Sequence, residues 1–459
     1  MELENLYALY RQYPCVCTDT RQIRKDALFF CLKGENFDGN TFAAEALEQG
    51  AAYVVVDNPQ YVLNERCLLV EDVLHTLQQL AHFHRRQLSV PIIGVTGTNG
   101  KTTTKELLTA VLSRKYRVTS TQGNLNNHIG VPLTLLSIRP DTEIAVVEMG
   151  ANHPGEIATL CQWVEPDFGL ITNIGKAHLE GFGTYEEIIR TKTALYRSVA
   201  SRRGMLFVHA DDSLLMRQAE NLASIPDLPS LLPWYLDHGF GPDWQAGKRN
   251  IALYTYGSSE EANCQGCLHV DGLYLSFDLQ AGESSLKVDT RLVGQYNFDN
   301  AMAACAVGRF FKVDDTDIMA ALQAYTPSNS RSQILEKANV RIVMDAYNAN
   351  PSSMEQALHN FARVVSERKI LVLGDMRELG VNSVTEHQKI VEWIEDAHFM
   401  EVFLLGEEFA KTTAPESWKF KDMESLKQAL RVNLDERPVL LLVKGSRGMR
   451  MERVLEIFG

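Results

Sequence analysis

The chain has 459 residues, too many for a single hydrophobic core, so its length predicts two to four domains. Its composition, 45% hydrophobic and 22% charged residues, is typical of an ordinary globular protein. Its 45 basic and 58 acidic residues give a formal net charge of -13, which argues against nucleic acid as a partner.

The sequence has no recognisable targeting or membrane segment. Residues Met1 to Asn5 contain neither the basic nor the apolar part of a signal peptide. Apolar runs such as Val439–Val443 are far shorter than the roughly 18 residues that cross a bilayer. Eight cysteines in so long a chain indicate reduced thiols rather than a disulfide framework. We therefore expect a cytoplasmic protein without membrane insertion.

Residues 1–89 combine short apolar runs with helical periodicity, which predicts a small α/β domain. A helix is expected near Val73–Phe83, and the polar stretch His84–Ser89 before Pro91 predicts a linker. The expected strands are Ala27–Leu32, Ala52–Val56 and Cys67–Val70.

Residues 90–326 begin with a regular succession of strand, loop and helix. Strands separated by helices predict a parallel sheet with right-handed crossovers. Residues 226–247 have no clear period and are interpreted as an irregular excursion, whereas residues 251–293 alternate as antiparallel strands added to the sheet would. The expected strands are Ile92–Val95, Ile144–Val147, Gly169–Thr172 and Met205–Val208, and the expected helices include Lys105–Leu112 and Ala301–Val307.

Residues 327–459 repeat the α/β rhythm after a hinge expected at Tyr325–Ser330, which predicts a third, Rossmann-like domain. Unusual polar sequences follow its first, second and fourth strands. Ligands in open parallel sheets bind outside the carboxyl ends of the strands, so these endings are candidate sites. The expected strands are Arg341–Met344, Ile370–Leu373, Val402–Leu405 and Val439–Val443.

A glycine-rich loop, Thr96–Thr103, lies between a predicted strand and a predicted helix. Glycines let the backbone wrap a phosphate, and a lysine supplies positive charge. The general P-loop spacing would require glycine where Val95 stands, so a glycine-rich turn with a surface lysine is the alternative. The loop predicts nucleotide binding but no particular reaction. The candidate nucleotide-binding residues are Gly97, Thr98, Asn99, Gly100, Lys101, Thr102 and Thr103.

Two further polar residues follow strands of the same predicted sheet. Glu148 ends the strand Ile144–Val147, where P-loop proteins often keep a metal-binding carboxylate. His178 lies shortly after the strand Gly169–Thr172. A lone histidine is more often structural, and a histidine would be an unusual Mg²⁺ ligand. Because both strand ends face one crevice, we expect a metal site there.

Taken together, four segments of the central region resemble the Mur ligase family. Three later segments resemble the member of that family that joins D-alanyl-D-alanine to UDP-N-acetylmuramoyl-tripeptide. The resemblance covers nearly the whole chain, in the same order. The seven segments are Gly97–Thr103, Gly123–Thr134, Glu148–Ile157, Thr172–Glu180, Asp345–Pro351, Leu373–Gly380 and Lys444–Arg447.

The resemblance implies three α/β domains: a UDP-binding domain over residues 1–89, an ATP-binding domain over 90–326 and a ligase domain over 327–459. It also implies an ATP-dependent reaction through an acyl phosphate, with Mg²⁺ held by Thr102, Glu148, His178 and a carbamylated Lys192. The family often has glutamate where Ala194 stands. The implied catalytic residues are Lys101, Glu148, His178, Lys192, Arg331 and Lys444.

The family also implies substrate contacts. Asn297 and Asn300 are expected at the base and ribose, next to Tyr296 where the family commonly has histidine. Helix capping is the alternative role for these asparagines. Arg331 is expected at phosphate and Asp345 at the ribose. The remaining implied contacts are Asp19, Thr20, Arg21, Lys33, Asn36 and Asp38 for UDP, Asn126 and Asn127 for the muramyl peptide, and Tyr347, Asn348 and Asn350 for the dipeptide.

Two other functions compete with this prediction. One is a related ligase, such as the enzyme adding the third peptide residue or a folylpolyglutamate synthase. The other is a nucleotide-switched regulator, which would need neither an acceptor pocket nor Lys192. The expected partners are ATP, UDP-N-acetylmuramoyl-tripeptide and D-alanyl-D-alanine, with the chain acting as a monomer.

Overall fold

The computed structural model describes residues 1–223, 252–270, 272–327 and 331–458. The excursion at 226–247 lies outside the described residues, as does part of the hinge expected at Tyr325–Ser330. No helix in these ranges combines the length and apolar character needed to span a bilayer. All eight cysteines are free thiols, as expected.

The N-terminal part forms a parallel four-stranded sheet of order β1-β2-β5-β6 beside a two-stranded antiparallel ribbon, β3-β4. The strands are β1 Val16–Cys17, β2 Leu28–Phe30, β3 Lys33–Gly34, β4 Phe37–Asp38, β5 Tyr53–Val56 and β6 Cys67–Leu69. The α-helices are Leu3–Gln12, Ala43–Glu48 and Val73–Arg86, and the 3₁₀ helices are Thr20–Gln22, Gly39–Phe42 and Pro59–Tyr61.

The helix Val73–Arg86 continues into the stretch predicted as a linker. His84 and Arg85 are buried at its end. The Arg85 guanidinium donates to the carbonyl oxygens of Val164 and Glu165, each at 2.8 Å, and to Asp167 Oδ2 at 2.9 Å. The linker prediction was wrong for residues 84–86, because polar side chains with partners of this kind pack as interior residues.

Replacement of Arg85 by methionine is expected to lower the free energy of unfolding by about 3 kcal/mol, because it leaves the Asp167 carboxylate buried without its cation. Urea unfolding followed by circular dichroism measures this loss. Arg86→Met is the matched control, since exposed Arg86 pairs with Glu165 at the surface and its loss should cost less than about 1 kcal/mol. Equal losses in the two variants would contradict the prediction.

The central sheet has nine strands in the order β15-β14-β13-β12-β11-β10-β7-β9-β8. They are β7 Ile92–Thr96, β8 Val118–Ser120, β9 Ile144–Glu148, β10 Phe168–Ile171, β11 Met205–His209, β12 Ala252–Gly257, β13 Cys264–His269, β14 Tyr274–Ala281 and β15 Ser284–Val293. Around it lie the α-helices Lys101–Leu112, Gly130–Leu136, Glu156–Val164, Leu179–Phe182, Tyr185–Lys192, Ala194–Ser201, Ser213–Ala223, Phe298–Phe310 and Asp315–Ala324, and the 3₁₀ helix Gln295–Asn297.

The direction of the added strands corrects one prediction. β12 and β13 run parallel to β11, and among the described strands of this sheet only the pairs β13–β14 and β14–β15 are antiparallel. The sequence alternation at 251–293 does not distinguish the two cases, because side chains alternate with a period of two in parallel and antiparallel strands alike.

The C-terminal part forms a six-stranded sheet of order β16-β17-β21-β18-β19-β20, in which only β16 is antiparallel. The strands are β16 Gln333–Lys337, β17 Val340–Asp345, β18 Lys369–Gly374, β19 Glu401–Leu405, β20 Lys419–Phe420 and β21 Val439–Lys444. The α-helices are Pro351–Arg363, Ser383–Asp396, Glu407–Ala410 and Met423–Asn433, and the 3₁₀ helices are Gly380–Asn382, Glu416–Trp418, Arg447–Met449 and Met451–Phe458.

The three sheets confirm the predicted α/β class. One buried cluster nevertheless joins the N-terminal and central parts, since it includes Leu77 and Leu80 from the N-terminal helix and Leu135 and Leu160 from central helices. The proposed limit at 89/90 therefore separates two sheets that share one core. The limits at 89/90 and 326/327 both stay a prediction.

Candidate functional site

A cavity of about 670 Å³ between the central and C-terminal sheets is lined by many of the predicted site residues. The phosphate loop and Glu148 line it on the central side, and Arg331, Asp345 and Lys444 line it on the C-terminal side. The cavity thus brings together side chains from distant parts of the sequence. Its first and last lining residues, Thr98 and Lys444, are 346 positions apart.

The phosphate loop joins β7 to the helix that begins at Lys101. Gly97 has φ +146° and Gly100 has φ +79°, backbone conformations that favour glycine. A Cβ atom on Gly97 would lie 1.9 Å from Thr172 Oγ1, so any side chain there would clash with β10's end. The loop therefore keeps its backbone amides at a helix N-terminus, an arrangement that suits phosphate oxygens.

Two lysines converge on this loop. Lys101 Nζ donates to the Gly97 carbonyl oxygen at 2.9 Å and Lys192 Nζ donates to the same oxygen at 3.0 Å. Lys192 is 2% exposed. Burial, followed by repulsion from Lys101, holds the pKa of Lys192 well below its ordinary value, and burial also lowers the pKa of Lys101. An anion bound between the two amines would offset their mutual repulsion and favour their charged forms.

Glu148 carries a carboxylate oxygen with no partner. Its Oε1 accepts from Thr102 Oγ1 at 3.0 Å and from Asn126 Nδ2 at 2.7 Å. Its buried Oε2 has no hydrogen-bond partner among the described residues. An uncompensated carboxylate oxygen is costly in the interior unless a cation binds it. The oxygen donors of Thr102 and Glu148 match the preference of Mg²⁺.

The predicted metal ligand His178 is not part of a cluster of metal-binding side chains among the described residues. The described ranges contain no group of three or more histidine, cysteine, aspartate or glutamate residues able to hold a metal ion. His178 lines the cavity with φ +50°, and its Nδ1 pairs with Glu378 of the C-terminal part. Sequence reasoning gave Glu378 no role, although Glu378 lies in one of the segments that resemble the family.

The C-terminal candidates form a network of charges around Asp345. Lys444 Nζ donates to Asp345 Oδ2 at 2.5 Å, and the Ser332 backbone amide donates to Asp345 Oδ1 at 3.1 Å. The Arg331 guanidinium lies over the Tyr347 ring, 3.6 Å from its centroid. These contacts fix Asp345 and Lys444 at the ends of β17 and β21 without the help of a ligand.

Asn297 and Asn300 line the cavity but do not cap the helix that follows. That helix begins at Phe298, so Asn300 lies in its first turn rather than before it. Asn300 Oδ1 accepts from Thr104 Oγ1 at 3.0 Å, and Asn300 Nδ2 donates to Asn297 Oδ1 at 2.9 Å. The alternative role of helix capping was therefore wrong for Asn300, because the α-helix begins at Phe298, directly after the 3₁₀ helix Gln295–Asn297.

Beside them, Tyr296 connects the two halves of the cavity. Its hydroxyl lies 2.5 Å from Ser332 Oγ of the C-terminal part. Burial, next to the negative Asp345, raises the pKa of Tyr296 above its ordinary range, so its phenol stays protonated.

Asn350 connects the phosphate loop to the C-terminal helix Pro351–Arg363. Its Oδ1 accepts from the Ser353 amide at 2.9 Å as an N-cap, and its Nδ2 donates to Asn99 Oδ1 at 2.8 Å. Asn99 Nδ2 in turn donates to Ser352 Oγ at 3.1 Å. Sequence reasoning missed Ser352, although the Asn-Pro-Ser-Ser run there is a recognisable helix start.

Asn350→Ala is expected to lower stability by about 1 kcal/mol through loss of the cap, and to raise the KM for ATP because Asn99 Oδ1 loses its donor. Thermal unfolding and steady-state kinetics measure the two effects. Asn350→Ser keeps a capping hydroxyl but does not reach Asn99, so it should restore stability without restoring the KM. A KM unchanged in both variants would contradict the coupling.

Other cavity residues are held by local contacts. Asn127 Oδ1 accepts from the amides of Ile129 and Gly130 at the start of the helix Gly130–Leu136. Tyr347 and Asn348 also line the cavity. A second cavity of about 190 Å³ adjoins it at His178, Asn348 and Asn350.

None of the six N-terminal candidates (Asp19, Thr20, Arg21, Lys33, Asn36 and Asp38) lines either cavity in the part of the chain that the structure describes. Asp19 caps the helix Thr20–Gln22 and pairs with the exposed Arg21. Lys33 pairs with Asp57 at 2.7 Å. Buried Asn40 donates to both Asp38 and Asp57, a cluster that the sequence did not reveal because its members are 19 positions apart.

Comparison with known proteins finds relatives that match this chain over nearly its whole length. Residues 12–91 match the description "Mur ligase family, catalytic domain", residues 95–225 match "Mur ligase middle domain", and residues 330–447 match "Mur ligase, glutamate ligase domain". The UDP-N-acetylmuramoyl-tripeptide--D-alanyl-D-alanine ligase of Bacillus subtilis (strain 168) is 34% identical over 453 residues, which are 96% of this chain and 92% of that protein.

Solved structures give the same result. A crystal structure of MurF from Acinetobacter baumannii superposes with a TM-score of 0.81 at 29% identity and covers 96% of this chain and 92% of that one. The MurF ligase of Thermotoga maritima in complex with ADP superposes with a TM-score of 0.77 at 28% identity and covers 97% of this chain and 96% of that one. The chain belongs to the Mur ligase family.

Proposed function

We propose that this chain is an ATP-dependent ligase that joins D-alanyl-D-alanine to UDP-N-acetylmuramoyl-tripeptide and releases ADP and phosphate. The product is the pentapeptide precursor of peptidoglycan. The observation that carries the proposal is a phosphate loop in one cavity with Glu148, whose second carboxylate oxygen has no partner in the described part of the chain. A second small cavity lies beside it. The full-length similarity to ligases of that name supports it.

The chemistry explains why the site needs positive charge. A carboxylate is a poor electrophile, so its oxygen first takes the γ-phosphoryl group of ATP and becomes an acyl phosphate. The dipeptide amine then attacks the acyl carbon, and phosphate leaves. Two anions, the triphosphate and the carboxylate, must approach each other in this reaction. Lys101 and the loop amides are proposed to bind the phosphates and reduce their repulsion, and the position of Lys101 beside the loop supports this role.

Thr102 and Glu148 would hold Mg²⁺, which supplies Lewis-acid neutralisation of the phosphate charge. His178 is proposed near this ion. Arg331 is proposed at the phosphates and Asp345 at the ribose, with Lys444 holding the Asp345 carboxylate in place. Asn297 and Asn300 are proposed beside the base, while Asn126 and Asn127 are proposed at the muramyl peptide.

Lys192 is proposed to be carbamylated. The ammonium first loses a proton, and the lone pair of the neutral amine then joins CO₂ with release of a second proton, so a cation becomes an anion. The depressed pKa of Lys192 favours the neutral amine, and its position beside Lys101 favours the anionic product. The carbamate would help to hold a second Mg²⁺ ion.

Several broader features belong to the same proposal. The N-terminal residues Asp19 to Arg21 and Lys33 to Asp38 are proposed to bind UDP, within a domain that ends near residue 89. The substrates are small molecules, and the enzyme is proposed to act as a cytoplasmic monomer. Size-exclusion chromatography with light scattering tests the monomer, and limited proteolysis tests the domain limits.

One assay tests the function directly. ADP release is measured with UDP-N-acetylmuramoyl-tripeptide alone, with D-alanyl-D-alanine alone and with both. Turnover that requires both substrates is expected from the ligase. Turnover with neither, or stimulation only by a protein partner, would favour a nucleotide-switched regulator and would overturn the proposal. Turnover with glutamate in place of the dipeptide would instead favour a folylpolyglutamate-type ligase.

A further inference from the structure

The second cavity lies between the central part and the segments that follow three C-terminal strands, β17, β18 and β21. It shares His178, Asn348 and Asn350 with the main cavity, so the two spaces meet at these residues. Its volume of about 190 Å³ is below the range of about 300–1,000 Å³ that is usual for drug-sized ligands. It therefore suits a small solute whose reacting end reaches the main cavity.

Two arginines, Arg377 and Arg447, belong to the wall of the second cavity and not to that of the main one. The Arg377 backbone amide donates to Ser446 Oγ at 2.8 Å, which fixes its main chain. A Cβ atom on Gly448 would lie 2.5 Å from Arg377 Nη1, so the guanidinium lies close against the bare Gly448 backbone. Within the described ranges, no carboxylate forms a salt bridge with Arg377.

Arg447 is only weakly neutralised. Its guanidinium is 3.8 Å from Glu452 and 5.6 Å from the centroid of the Tyr347 ring. The carboxylate of Glu378, which also lines this cavity, is paired with His178 instead. The far wall of the cavity thus presents two guanidinium groups whose charge is not fully compensated, and a carboxylate fits their planar donors well.

We propose that Arg377 and Arg447 hold the C-terminal carboxylate of the incoming dipeptide. This inference rests on the proposed function, because that function supplies a small substrate with a free carboxylate at one end and the attacking amine at the other. With the carboxylate on the arginines, the amine points towards the shared residues His178, Asn348 and Asn350, where the acyl phosphate of the main cavity is accessible. Arg377 and Arg447 are then specificity-determining residues for the acceptor.

The test compares D-alanyl-D-alanine with its C-terminal amide as acceptors. In the unaltered enzyme, loss of the carboxylate should raise the KM about 10- to 100-fold, the usual range for a hydrogen-bonded charge. Arg377→Met should raise the KM for the free acid about 10-fold but leave the KM for the amide unchanged. The preference of the enzyme for the acid over the amide should therefore fall. Arg377→Lys should retain part of it, and Arg447→Met should act like Arg377→Met.

The exposed Arg431, on the helix Met423–Asn433, provides the matched control, since Arg431→Met should change neither KM. The acid-to-amide ratio is measured on one protein preparation, so partial misfolding does not alter it. Equal KM increases for acid and amide in both arginine variants, or no increase in either, would overturn the proposed contact. An unaltered enzyme that shows no turnover requiring both substrates would overturn the proposed function itself.

Discussion

Glu148→Gln is expected to reduce turnover by at least about 10³-fold, because the loss of a metal-binding charge removes several kcal/mol of transition-state stabilisation. The same variant should fold normally. Glutamine keeps an oxygen that accepts from Thr102 and Asn126, and it removes a buried charge whose second oxygen has no partner among the described residues. The melting temperature should therefore stay the same or rise.

Steady-state ADP release and thermal unfolding measure the two quantities, and titration with Mn²⁺ in the presence of ATP measures metal binding. Glu367→Gln is the control, since this exposed glutamate lies away from both cavities. A Glu148→Gln variant that keeps at least a third of the activity would show that this carboxylate does not hold the metal. A variant that is inactive only because it unfolds would contradict the stability part.

Much of the fold was predictable because it depends on local patterns. The buried strands β7, β9, β17 and β21 were found from short apolar runs, and the loop between β7 and its helix was found from its glycines. The loop is predictable because φ values of +146° and +79° favour glycine, so its conformation leaves a mark in the sequence. Glu148 was found for a related reason, as a charged residue directly after a buried strand.

The residues whose roles the sequence did not predict make contacts between distant segments. In the sequence Arg85 resembles a linker residue, but in the structure its guanidinium donates to Asp167 and to two carbonyl groups. Glu378 gains a role only through His178, 200 positions away. Neither partner can be inferred from local periodicity, because packing between domains determines both contacts.

The helix starts show the same division. Asn350 precedes a proline, and its capping geometry follows from local sequence. Asn300 was predicted to precede a helix that begins at Ala301. The helix instead begins at Phe298, directly after the 3₁₀ turn Gln295–Asn297, and so includes Asn300. Asn297, the last residue of that turn, donates from its Nδ2 to the Val293 carbonyl oxygen at 2.8 Å instead of capping the helix.

Lys192→Ala is expected to abolish turnover, and added formate or acetate is expected to restore part of it. The reason is that the variant lacks the proposed carbamate and leaves a space beside Gly97 where a small carboxylate can bind. Its positive neighbour Lys101 would attract that anion. ADP release at increasing concentrations of formate measures the rescue, with chloride at equal ionic strength as the control for salt.

The carbamate itself can be observed separately by ¹³C NMR of the protein in ¹³C-bicarbonate, where the unaltered enzyme should show a carbamate signal that Lys192→Ala lacks. Lys105→Ala is the matched control, because Lys105 is also buried but its ammonium lies beside Glu106 and donates to the Thr121 carbonyl oxygen. That variant should keep the signal, since Lys105 is paired with the Glu106 carboxylate and is not the amine proposed to react with CO₂. A Lys192→Ala enzyme with near-normal turnover would refute the role of the lysine. An inactive variant combined with an unaltered enzyme that shows no carbamate signal would mean that Lys192 acts as an amine, bound to the Gly97 carbonyl group.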